Sequence, residues 1–159
     1  MLAYAYRTLN EAGFESVASE DFDNVHDLLA AILAKGVTVQ IKRGLHRDYL
    51  PITENLCCLR GKINVTASVK QQTMMSSRMI CQYDTFSEDT TLNRILKSAM
   101  NLLYRSGALK KENIKALRKV LIYFDAVKDV DPNAIDWRSI SYHRNNATYR
   151  MLVNICWLV

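Results

Sequence analysis

Apolar residues along this chain change their spacing twice, and that change limits the fold more than any other feature. Phe22, Val25, Leu28, Leu29, Ile32 and Leu33 recur at helical spacing, as on a helix buried along one side. Val37, Val39 and Ile41 then alternate with Thr38, Gln40 and Lys42, and residues 59–69 alternate again, the period of half-buried strands. Leu92, Ile95, Leu96, Ala99, Leu102 and Leu103 return to helical spacing, as do Ile114, Leu117, Leu121 and Phe124. This order predicts an α+β fold. It has N-terminal helices over 1–35, a small antiparallel sheet or barrel-like β segment over 36–86, and a C-terminal helical bundle over 87–159.

Punctuation residues refine the boundaries. Leu2, Tyr6 and Leu9 suggest a short first helix, and Asp21 can cap the next one. Gly36 stands where a helix C-cap belongs, and Gly44 reads as a bend within a strand. A third strand is expected over 78–86, with Ser87 as the N-cap of the helix after it. Arg105 and Gly107 close that helix. Residues 125–136, with Pro132, read as a loop, and Trp137, Ile140 and Tyr142 as a brief extended piece. Asn145 or Asn146 caps a last helix that runs into the apolar end ICWLV. So greasy an end leads us to expect that more protein follows.

At 159 residues the chain is long enough for one domain with a proper core. No apolar run reaches the roughly 18–20 residues of a membrane span, and the start lacks a secretory pattern. A cytoplasmic protein is expected. Cys57, Cys58, Cys81 and Cys156 match no zinc spacing and read as buried free thiols.

Charge is uneven. Over residues 36–78, seven basic side chains (Lys42, Arg43, Arg47, Arg60, Lys62, Lys70, Arg78) face two acids (Asp48, Glu54). If these residues are strands, Arg60 and Lys62 share a polar face, and Lys42 lies on one with Gln40. Such a surface suits phosphate backbones or an acidic protein.

Signs of catalysis are sparse. His26, His46 and His143 are scattered, and no Gly-rich phosphate loop or nucleophile elbow occurs. No Asp or Glu has a Lys two positions later, an element common in metal-dependent nucleases. Asp84, Glu88 and Asp89 could attract a metal, but a strand end feeding a capped helix explains them, and that reading is preferred. Arg144-Asn145-Asn146 before Tyr149 could read a base edge or phosphate, or simply cap a helix. No catalytic residue, cofactor or metal site is assigned.

Several segments together resemble McrC, the second subunit of the McrBC modification-dependent restriction system. They are Met1-Leu2-Ala3-Tyr4-Ala5-Tyr6, then Arg43-Gly44-Leu45 with Tyr49, and Leu59-Arg60-Gly61-Lys62-Ile63. They continue with Tyr83-Asp84, Glu88-Asp89-Thr90, Asn93-Arg94-Ile95, Lys97-Ser98, and Arg144-Asn145 with Tyr149. The resemblance implies an α+β portion that docks on a McrB-like AAA+ GTPase ring and stimulates GTP hydrolysis, within a complex whose McrB-like subunits recognise modified cytosine in DNA and which then translocates and cleaves. It implies a C-terminal PD-(D/E)xK nuclease half as well, and no such motif stands in this sequence. The leading expectation is thus a non-catalytic docking and regulatory region of an endonuclease subunit. Lys42, Arg43, Arg47, Arg60, Lys62, Arg144 and Asn145 are its candidate contacts with partner or DNA. The alternatives are a free-standing basic DNA-binding module and a metal enzyme using Asp84, Glu88 and Asp89.

Overall fold

The computed structural model describes residues 24–142 and 147–159. Within them the fold is α+β, in two compact units. Residues 47–88 form one; the described residues before 47 and after 88 form the other. No described helix is long and apolar enough to cross a membrane. The first helix expected near residue 2, and the caps Asp21, Asn145 and Asn146, lie outside the described residues, as does His143.

In the helical unit, α1 (Val25–Arg43) starts at Asn24, whose side chain accepts from the Asp27 N–H. The strand expected at 37–41 is instead the last turns of this helix. Its alternating pattern was only apparent, because Gln40 is buried with Leu33, Gly36 and Val37 on the helical period. Thr38, a poor helix former, returns its hydroxyl to the Ala34 carbonyl at 2.6 Å. Gly36 is not a cap. A Cβ there would stand 2.4 Å from Leu152 Cδ2, so the glycine admits the neighbouring helix. The helix ends at Gly44.

The described residues of the unit hold three further helices: α3 (Thr91–Arg105), α4 (Lys111–Leu121) and α5 (Ala147–Cys156). Thr90, not Ser87, caps α3, by accepting from the Asn93 N–H. A 3₁₀ turn, Ile122–Phe124, extends α4, and another, Pro132–Ala134, interrupts the expected loop. Residues 137–142 form no strand. α1 packs on α4, and α3 on α5, around Ile32, Leu33, Leu96, Met100, Leu117, Phe124 and Leu152.

The N-terminus of α4 is satisfied from a distance. Its N-cap, Lys110, offers no side-chain bond. Instead Asp27, fully buried in the first turn of α1, accepts from the Lys110 N–H at 2.8 Å and from Asn113 Nδ2 at 2.9 Å. A second polar knot holds the segment after α1. The Tyr149 hydroxyl accepts from the His46 N–H at 2.8 Å and donates to Asn93 Oδ1 at 3.0 Å. Asn93 Nδ2 in turn donates to the His46 carbonyl.

The smaller unit is a three-stranded antiparallel sheet in the order β1-β3-β2. Its strands are β1 (Asp48–Leu56), β2 (Lys62–Ile63) and β3 (Met79–Ser87). β1 is not among the expected strands, because it carries Pro51 and four polar residues without clean alternation; as an edge strand it tolerates both. The expected long strand over 59–69 shrinks to two residues. Asn64 then accepts from the Ala67 N–H and starts a short helix, α2 (Val65–Lys70). Ser68, fully buried, ties α2 to the sheet by accepting from the Ile80 N–H at 2.8 Å.

Candidate interaction surface

Gly61 organises the charged part of the sheet unit. Its φ of +65° turns the chain into β2, and a Cβ would stand 2.4 Å from the Gln82 carbonyl oxygen and 2.7 Å from Tyr83 Cβ. Because the backbone lies this close, Arg60 reaches across. Its guanidinium sits 4.1 Å from the Tyr83 ring centroid, within cation–π range. The Tyr83 hydroxyl donates to Glu54 Oε2 at 2.6 Å. That carboxylate holds the phenol above its ordinary pKa, with a small opposing effect from Arg60. Glu54 and Tyr83, which composition and spacing did not single out, thus position the arginine.

Strand register separates the candidate residues by face. Lys62 pairs with Gln82, and Tyr49 with Phe86, so these four share one face of the pleat. Glu54 pairs with Cys81 and shares the other face with Tyr83. Arg60 and Lys62 therefore do not present one polar face as expected; the turn at Gly61 breaks the alternation between them. Tyr49 and Phe86 stack with centroids 5.1 Å apart while remaining 67% and 55% exposed.

The other candidates are dispersed. Lys42 and Arg43 occupy the last turn of α1 in the helical unit, where cations suit the helix dipole. They are not strand residues. Arg47 is engaged, donating through Nε and Nη2 to Glu88. Arg144 and Asn145 lie outside the described residues. The unit boundaries also redistribute the charge. Residues 47–88 hold five basic side chains (Arg47, Arg60, Lys62, Lys70, Arg78) against four acidic (Asp48, Glu54, Asp84, Glu88), a net +1.

Apolar exposure is the more telling property. The sheet unit buries Ile80 and Cys81, but leaves Leu59, Val65, Val69, Met74 and Met75 exposed, as it does Tyr49 and Phe86. Cys57 and Cys58 are exposed too, against expectation, whereas Cys81 and Cys156 are buried; all four are free thiols. Burial raises the Cys156 thiol pKa well above its ordinary value.

The acidic cluster has structural work. Asp89 receives Arg94 Nε and Nη2 at 2.7 Å each, and the Lys128 N–H at 2.8 Å. The Arg94 guanidinium holds its carboxyl below the usual carboxylate range, against the opposing effect of burial. No group of three or more His, Cys, Asp or Glu among the described residues could hold a metal ion.

The sequence profile of one family, described as McrBC 5-methylcytosine restriction system component, matches residues 1–159. The chain is 24% identical over 156 residues to the type IV methyl-directed restriction enzyme EcoKMcrBC of Escherichia coli strain K12. The match covers 98% of this chain and 45% of that protein, so the chain spans less than half the length of that relative. Its fold matches a chain in the cryo-EM structure of the Thermococcus gammatolerans McrBC complex, with a TM-score of 0.72 and 20% identity. That match covers 89% of this chain and 43% of the other. A half-complex from a tetradecameric assembly of Thermococcus gammatolerans McrB AAA+ hexamers with bound McrC gives the same TM-score and identity, over 34% of its matching chain.

Proposed function

The chain belongs to the family of McrBC 5-methylcytosine restriction system components, and from that premise we propose that it is a docking and regulatory region. In this reading it binds a McrB-like AAA+ GTPase ring in the cytoplasm and stimulates its nucleotide turnover, without a nuclease site of its own. The observation that carries the reading is the apolar surface of the sheet unit. A unit of about 40 residues with so few buried apolar side chains is marginal alone, and its exposed aromatic and methionine side chains suit burial by a partner. Arg60, held over Tyr83, is the charged group we assign to the contact. A pre-positioned guanidinium loses less freedom on meeting an anionic partner. Lys62 shares a face of the sheet with Tyr49 and Phe86, opposite to that of Tyr83. Lys42 and Arg43, exposed at the end of α1, serve as secondary contacts with the ring or with DNA.

The experiment mixes the chain with a McrB-like GTPase, from its own genome where one is encoded, and measures complex formation and GTP turnover. The chain should bind and raise turnover. Tyr49→Ala with Phe86→Ala should weaken the complex, and Arg60→Ala should lower stimulation more than binding. Absence of both complex and stimulation would overturn the proposal.

A further inference from the structure

Among the described residues, a second positive surface lies outside the sheet. In α4, Lys111, Lys115, Arg118 and Lys119 are all exposed. At helical spacing they fall within a stripe roughly 100° wide, opposite the buried Leu117 and Val120. None of the four is ion-paired among the described residues. Glu112 is the one acidic residue of the helix.

Part of this arrangement works against the helix that carries it, although Arg118 and Lys119, in the last turn, suit the dipole. Lys111 with Lys115, and Lys115 with Lys119, are like charges four residues apart, which destabilises a helix. Lys111 also stands in the first turn, the end of the dipole that disfavours cations. The helix is held by its buried face and by Asp27, which accepts from the Lys110 N–H and from Asn113. An anionic partner along the stripe would relieve the repulsion.

We propose that the exposed face of α4, through Lys111, Lys115, Arg118 and Lys119, binds the phosphate backbone of duplex DNA. The stripe runs about 12 Å along the helix axis, room for two or three successive phosphates of a strand. Three of its four cations are lysines, which are depleted in protein interfaces yet serve well as point charges on phosphates. An anionic membrane fits less well, because the apolar side of α4 is already buried in the core and has nothing to insert. The proposal deepens the DNA part of the reading above. It stands apart from ring docking, which we assign to the sheet unit.

The test is fluorescence anisotropy of the full chain with a labelled duplex lacking modified cytosine, across a salt series. Wild type should bind with a steep log–log salt slope. The triple variant Lys115→Gln, Arg118→Gln, Lys119→Gln should flatten that slope by about 2.7, equivalent to removing about 40-fold of the affinity loss between 50 and 200 mM salt. Its urea midpoint should stay close to wild type, since the substitutions remove repulsion but also the Arg118 and Lys119 charges that suit the C-terminal end of the dipole. Its complex with the GTPase should persist. Arg60→Gln with Lys62→Gln should leave the DNA slope unchanged. The proposal is overturned if wild type shows no salt-dependent binding, if the triple variant keeps the full slope, or if the Arg60/Lys62 variant removes it. Equally tight binding of polyglutamate, or of phosphatidylserine vesicles, would overturn it as well.

Discussion

Replacing Gly61 with alanine probes the sheet unit where its backbones approach most closely. The new Cβ would stand 2.4 Å from the Gln82 carbonyl oxygen. That atom belongs to the central strand, so no rotamer change can relieve the contact. The left-handed φ adds about 1 kcal/mol for a residue with a Cβ, and forced overpacking adds typically about 1–3 kcal/mol. Against this total of about 2–4 kcal/mol stand the two-residue pairing of β2 and the Asn64 N–H to Ile80 carbonyl bond, at a net of about 1 kcal/mol per hydrogen bond. β2 should therefore detach while the helical core stays folded. Amide exchange by NMR reads the effect directly. A loss of 2 kcal/mol corresponds to about a 30-fold fall in protection at Asn64. The urea midpoint of the helical unit should hold, and Arg60 should leave the Tyr83 ring. Gly44→Ala is the control for backbone strain without a clash: its φ is +93°, and nothing lies within 4 Å of its Cβ position. Unchanged Asn64 exchange in Gly61→Ala would refute the close-approach argument.

Asp27→Ala should cost about 2–3 kcal/mol in urea unfolding, since it leaves the Lys110 N–H and the Asn113 amide without their buried acceptor. A loss below about 0.5 kcal/mol would mean that the distant cap is dispensable. Asp89→Asn tests the pair with Arg94. The folded carboxyl titrates below its unfolded value, so its stabilisation is present above pH about 4 and drains away as the pH falls beneath that. Wild type and variant should accordingly differ in stability at pH 7 and converge in acid; a constant gap would contradict the pairing. Thiol titration should find Cys57 and Cys58 reactive in the native protein, with Cys81 and Cys156 reacting only after unfolding. Fast labelling of Cys156 would contradict its burial.

Much of the architecture could be read directly from residues. The stripes Leu92–Leu103 and Ile114–Phe124 became α3 and α4 with its 3₁₀ extension, because their helical period states which side is buried. The third strand fell within a residue of its expected bounds. The α+β class follows from those periods alone. The resemblance, carried by short segments in register, agrees with the family that the whole chain matches. Charge along the sequence was a poorer guide. The segment 36–78 pools Lys42 and Arg43, which end a helix in one unit, with strand residues of another, and it leaves out Asp84 and Glu88.

What the sequence determined by itself was the periodicity of its best helices, the class that follows, and the family its motifs share. Tertiary structure decided the rest. Gly36 looks like a cap until Leu152 is seen against it, and Gln40 looks exposed until its helix is packed. Arg60 is one cation among many until Gly61 lets it lie over Tyr83. In each case the deciding contact joins residues far apart in the chain. A linear pattern records what each residue prefers, but not which neighbour reaches it.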